Sequence, residues 1–84
     1  MIRVLFFARI REELDCPGLD LEWSRDVADL ESLQAHLVGR HGEPWGSVLG
    51  SDNVIRAVNQ VVVEGNPTLA DGDEVAFFPP VTGG

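Results

Sequence analysis

Within the 84 residues of this chain, one segment has both the length and the periodicity of a full amphipathic helix. Val27, Leu30, Leu33, Leu37 and Val38 recur at three- and four-residue spacing through about residue 41, which places apolar side chains on one stripe. Asp26 in N-cap position, with Asp29 three residues later, predicts the start, and Gly42 after Arg40 and His41 predicts the stop. The other long apolar patterns read as strands. Residues 2–8 are apolar on both alternating faces, Ile2, Val4 and Phe6 on one and Leu5 and Phe7 on the other, so neither face is freely solvated. Residues 19–24 alternate strictly, with Leu19, Leu21 and Trp23 inward and Asp20, Glu22 and Ser24 outward, which predicts a half-exposed second strand. Residues 54–58 and 61–64 flank a polar turn at Asn59 and Gln60, and residues 74–78 follow the turn Asp71-Gly72-Asp73.

The connections are short. Residues 9–14 form a polar link with helical character, Cys16-Pro17-Gly18 is a turn, Leu69 is a core anchor, and residues 43–52 read as a loop pinned by Trp45. One helix covers only one face of such a sheet, so the fold class is α+β in a single domain. The opposite face should then be polar, and it is not. If the helix packs on Ile2, Val4 and Phe6, then Leu5, Phe7, a valine near Val62 and either Phe77 or Phe78 form an uncovered apolar patch. Patches of this kind mark protein interfaces, with Phe7, Val62 and Phe78 as the candidate anchors.

A hydrophobic content of 44% supports a core without metal or disulfide staples, although a domain this small buries only just over ~60% of its unfolded surface. Cys16 has no second cysteine to pair with, and no signal peptide or long apolar stretch is visible, which predicts a cytoplasmic protein. Fourteen acidic against six basic residues give a net charge of -8, which repels nucleic acid and anionic membranes. The same balance is compatible with solubility alone and with steering onto basic partner surfaces.

The chain closes with Pro79, Pro80, Val81, Thr82, Gly83 and Gly84. Two glycines at a free end read either as a frayed tail or as an access device, since a residue without Cβ lets a narrow slot grip the backbone and reach the carbonyl carbon. The prolines favour access. They end the strand and direct the chain outward in extended form, and four further residues reach about 13 Å. Other chemically suggestive residues have simpler readings. Cys16 has no basic neighbour to activate it. His36 and His41 lie on different faces of the helix with no third ligand, so no metal site is expected. Asp71 and Asp73 are turn formers, and Trp23 and Trp45 are packing residues.

Residues 1–8 (Met-Ile-Arg-Val-Leu-Phe-Phe-Ala), 57–60 (Ala-Val-Asn-Gln), Leu69 and 71–84 (Asp-Gly-Asp-Glu-Val-Ala-Phe-Phe-Pro-Pro-Val-Thr-Gly-Gly) closely resemble the MoaD family, the small sulfur-carrying subunits of molybdopterin synthase. The match runs nearly end to end, and residues 71–84 are its specific part; the Cys16-Pro17-Gly18 turn and residues 39–52 carry no family motif. The resemblance implies a ubiquitin-like β-grasp, a mixed sheet wrapped around one main helix, with residues 1–80 as the domain and 81–84 as a flexible protruding tail. It implies that Gly84, supported by Gly83, is the reacting end. Its carboxylate, ionised at neutral pH with a pKa of roughly 3.5 and therefore a poor electrophile, would be adenylated by a ubiquitin-activating-like adenylyltransferase that consumes ATP. A persulfide donor would then convert it to a thiocarboxylate. Inside the large subunit, in a heterotetramer, the tail would give sulfur to cyclic pyranopterin monophosphate. The implied partner-binding residues are Phe7, Val62, Phe78, Pro79, Pro80, Val81 and Thr82, with no permanently bound cofactor and no catalytic groups on this chain. A sulfur carrier for thiamine synthesis shares the fold and the Gly-Gly end, but residues 77–82 (Phe-Phe-Pro-Pro-Val-Thr) argue for the molybdenum branch. A ubiquitin-like modifier that forms isopeptide bonds is the alternative from another class.

Overall fold

The computed structural model describes residues 1–80. Among them, five strands form one sheet: β1 (Ile2–Phe6), β2 (Gly18–Leu21), β3 (Ile55–Val58), β4 (Val61–Val62) and β5 (Glu74–Phe78), in the order β2-β1-β5-β3-β4. β1 and β5 run parallel, and the other pairings are antiparallel. Three helices, α1 (Ala8–Leu14), α2 (Leu30–His41) and α3 (Trp45–Leu49), lie between strands in the chain. A parallel pair needs a long crossover, and here everything from α1 to the Asp71-Gly72-Asp73 turn separates β1 from β5. No helix of the described residues is long and apolar enough to cross a membrane.

The register explains the core. Val4 sits beside Val75 and Phe6 beside Phe77, and these side chains are buried with Ile2 under Leu30, Leu33 and Leu37 of α2. Phe6 is the hub. Its ring stacks on Phe77 with centroids 5.7 Å apart and meets Trp45 edge-on at 5.3 Å; such pairs contribute about 0.5–1.5 kcal/mol each beyond the area they bury.

Helix content exceeds the expectation of one main helix. Residues 8–14 form a complete short helix that buries Ile10 and Leu14, and the expected loop at 43–52 contains α3, which buries Trp45 and Leu49. Both are too short to be stable alone, so tertiary burial holds them. Trp45 does pin its segment: it also stacks on His41 at 3.8 Å, while Gln34 Nε2 donates to the Leu49 carbonyl at 2.9 Å.

The start of α2 also differs. Asp26 lies in a 3-10 turn (Arg25–Val27) capped by Ser24, and the helix N-cap is Asp29, whose carboxylate accepts from the Ser32 N–H at 2.8 Å. The reason is non-local pairing. Leu69 N–H donates to the Ala28 carbonyl, Leu30 N–H donates to the Pro67 carbonyl, and Asp29 bridges to Thr68, so residues 28–30 bond to a distant segment rather than extending the helix upstream. Leu69 is buried, as expected. The second strand ends at Leu21, short of Trp23, which is 38% exposed and whose indole N–H donates to the Leu69 carbonyl at 3.0 Å. Asn59 and Gln60, both at positive φ (50° and 69°), form the tight hairpin turn between β3 and β4. β4 is only two residues long, shorter than the expected 61–64.

The Asp71-Gly72-Asp73 turn is tied to the hairpin. Asp73 accepts from the Ala70 N–H at 2.8 Å and from Asn59 Nδ2 at 3.0 Å. These two bonds, the backbone one first, hold its carboxyl below the ordinary value of 3.8. A carboxyl whose pKa is depressed in the folded state stabilises the fold above its unfolded pKa, and this contribution is lost as pH falls through the folded pKa. Asp73→Ala is therefore expected to lower the urea midpoint at neutral pH, with the gap to the parent narrowing as pH falls below the ordinary carboxyl value. A gap independent of pH would assign the loss to something other than the carboxylate.

Candidate docking face and chain exit

The alternation that sends Val4 and Phe6 into the core sends Arg3, Leu5 and Phe7 to the opposite face. The pairings then assemble that face in rows. Leu5 lies between Gly18 and Ala76, Ala76 is beside Ala57, and Ala57 is beside Val62. One step towards the end of β5, Phe78 pairs with Ile55. Phe7 joins this row from the other side, because its backbone is extended (φ -125°, ψ 154°) and its N–H donates to the Phe77 carbonyl at 3.1 Å. In the other direction the row is charged, with Asp20 and Glu74 flanking Arg3 and Arg3 Nε 3.7 Å from Asp20 Oδ1. The face therefore grades from charged to wholly apolar, and its apolar end is where β5 passes into Pro79 and Pro80.

Small residues sit in the middle of the patch and large ones around them. Ala57 and Ala76 are nearly buried by their neighbours, Leu5, Ile55 and Phe78 are half-buried, and Phe7 and Val62 are 44% and 60% exposed. Gly18 is required at its place: a Cβ there would lie 2.6 Å from the Val4 carbonyl oxygen. All three helices send their buried side chains into the cluster on the opposite face, so among the described residues no helix covers this one.

The structure thus brings Phe7, Val62, Phe78 and the chain exit together and resolves the alternative between the two phenylalanines. Phe77 is core and Phe78 is on the outer face. It adds Ile55 and the Ala57–Ala76 floor, which alternation could have located had the start of β3 been fixed at Ile55. Pro79 is half-buried and Pro80 exposed; Val81, Thr82, Gly83 and Gly84 lie outside the described residues. Among the described residues, no three His, Cys, Asp or Glu side chains converge as metal ligands. Cys16 is half-buried with its thiol 3.4 Å from the Gly18 carbonyl, to which it donates.

Residues 4–84 match the ThiS family. The molybdopterin synthase sulfur carrier subunit of Escherichia coli (strain K12) is 42% identical over 84 residues, covering 100% of both chains. The fold is similar to SAMP1 from Haloferax volcanii, with a TM-score of 0.77 at 26% identity over 99% of this chain and 98% of that one. It is also similar to a chain in the complex of subunits 1 and 2 of molybdopterin-converting factor from Helicobacter pylori 26695, with a TM-score of 0.70 at 30% identity over 99% and 97%. With a mixed sheet, its first and last strands side by side at the centre, and matches that run the length of the chain, this protein belongs to the ThiS family and, within it, to the MoaD group of ubiquitin-like β-grasp proteins.

Proposed function

We propose that the chain is the sulfur-carrier subunit of a molybdopterin synthase, a non-catalytic reagent whose residues 1–80 dock and whose residues 81–84 deliver. The observation that carries this reading is the continuity of the uncovered apolar face with the strand that leads to Gly84: a partner seated on Phe7, Phe78 and Ile55 sits at the point from which the tail departs. The name of the full-length Escherichia coli relative and the partnered Helicobacter pylori structure support it.

In this reading an oxygen of the Gly84 carboxylate attacks the α-phosphorus of ATP in an adenylyltransferase, and pyrophosphate leaves. A persulfide sulfur then attacks the carbonyl carbon of the acyl adenylate and AMP departs. Reductive cleavage of the S–S bond, by a thiol of the donor system, leaves the thiocarboxylate. Its sulfur is a better nucleophile than oxygen and attacks the pterin precursor inside the large subunit. Glycine at the reacting position keeps the carbonyl accessible, and the two prolines limit the freedom the tail loses on entering a slot.

The deciding experiment is intact-mass analysis of the chain incubated with ATP, an adenylylating partner and a persulfide donor, followed by conversion of the pterin precursor with the large subunit. Replacement of one oxygen by sulfur at Gly84 and formation of the dithiolene product are expected. Conjugates on lysines of other proteins would identify a modifier instead, and sulfur delivery to thiazole assembly would identify the thiamine branch.

The prolines give a separate prediction. Replacing Pro79 and Pro80 with glycine should raise the apparent KM for both partners by roughly five- to thirtyfold, reflecting about 1–2 kcal/mol of added ordering cost, with most of the rate restored at saturating partner. An unchanged KM would show that the prolines only terminate β5.

A further inference from the structure

These 84 residues contain six basic side chains, and all six are arginine: Arg3, Arg9, Arg11, Arg25, Arg40 and Arg56. The chemistry of the two cations differs where an activated acyl group is present. A lysine amine with a pKa near 10.4 keeps on the order of 0.1% of its population neutral at physiological pH, and that neutral form attacks acyl adenylates and thioesters. A guanidinium stays protonated and offers no free lone pair. The arginines retain the structural uses of a cation: Arg3 and Arg9 pair with Asp20 and Glu13 at 3.7 and 3.9 Å, and Arg56 donates to Gln34 Oε1 and the Gly65 carbonyl at 3.2 and 3.0 Å.

Two other nucleophiles are present among the described residues, the exposed Met1 amine and the half-buried Cys16 thiol. The Met1 amine is ion-paired with Asp71, while the Met1 carbonyl accepts from the Gly72 N–H at 3.0 Å. In the parallel β1–β5 pair this amine lies six residues before Phe7, about 20 Å of strand from the end at which β5 passes into Pro79. The Cys16 thiol is half-buried, occupied by the Gly18 carbonyl and packed against the core.

We infer that the side chains of this chain offer no amine to its own activated C-terminus, making the protein an acyl donor that the side chains of its own copies do not accept. The reaction excluded is aminolysis. In it a neutral amine attacks the carbonyl carbon, a C–N bond forms, the C–O bond to AMP breaks with the electron pair leaving on AMP, and the proton of the amine passes to solvent. With that route closed at the side chains, a crowded pool of activated carrier loses no carbonyl to isopeptide formation between copies and keeps it for an external sulfur nucleophile. The inference rests on the activated Gly84 of the proposed function, but its chemistry can be tested without an adenylylating enzyme.

The full chain would be prepared with a C-terminal thioester by intein thiolysis and incubated near pH 7.5, and homo-conjugates would be followed on denaturing gels and mapped by mass spectrometry. The parent is expected to hydrolyse to the free acid without forming side-chain-linked oligomers. A variant carrying Arg11→Lys, Arg25→Lys and Arg40→Lys, at exposed positions, is expected to form isopeptide-linked dimers at least about tenfold above the parent, since each lysine adds a neutral-amine fraction that arginine lacks. Asp71→Asn is expected to increase linkage through Met1. Parent oligomers at the level of the lysine variant, or a lysine variant that forms none, would overturn the inference. Failure of an adenylylating partner to activate the parent would count against the proposed function alone, because the thioester is made chemically.

Discussion

Deleting Gly84, or adding a single residue after it, is expected to reduce sulfur transfer by more than about 100-fold while leaving the thermal unfolding curve unchanged. The size of the effect follows from the geometry of the reaction: a misplacement of about 1 Å at a reacting centre can cost 100-fold, and one residue moves the carboxylate by about 3.5 Å. Stability is expected to be spared because, among the described residues, the buried cluster runs from Ile2 to Phe77. Adenylate formation, measured by pyrophosphate exchange, and thiocarboxylate formation, measured by mass, are the readouts. A tail-extended chain with full synthase activity would refute the assignment of Gly84.

The second large effect is expected on the outer face. Phe7→Ala and Phe78→Ala should each weaken association with the large subunit by about 2 kcal/mol or more if they are central anchors, roughly a thirtyfold rise in Kd. The neighbouring residue supplies the control. Phe77 is fully buried against Phe6, so Phe77→Ala should lower folding stability by about 3–5 kcal/mol and affect binding only through loss of folded protein. Val62→Asp, at a mostly exposed position, should weaken association without that cost to folding. Binding by calorimetry beside urea unfolding separates the two cases, and unimpaired binding by Phe7→Ala and Phe78→Ala would place the interface elsewhere.

The outer face was legible in sequence because it depends on local alternation. Once Ile2, Val4 and Phe6 face a helix, Phe7 must face away, and the same parity divides Phe77 from Phe78 when the strand register is known. What escaped the sequence depends on pairing between distant segments. Asp26 has the better local pattern for an N-cap, yet Asp29 holds that place because residues 28–30 bond to residues 67–69. Trp23 continues an alternating pattern, yet its indole bonds to the Leu69 carbonyl and β2 stops before it. The helical character of residues 9–14 was legible, whereas α3 lacks the length that would announce it; burial of Ile10 and Leu14 in α1 and of Trp45 and Leu49 in α3 sustains both. The Gly-Gly end stands out for its composition and position, but its chemistry came from the resemblance.

The placement of β5 between β1 and β3 bears on how the protein is made. Synthesis runs from the N-terminus, so the middle of the sheet arrives last, after both of its flanks. A chain that stops before Glu74 loses the strand that joins β1 to β3, and with it Phe77 from the core and Ala76 and Phe78 from the docking face. In the proposed function Phe78 of the docking face and the terminus at Gly84 belong to one continuous stretch, so a prematurely ended translation product is expected to present neither.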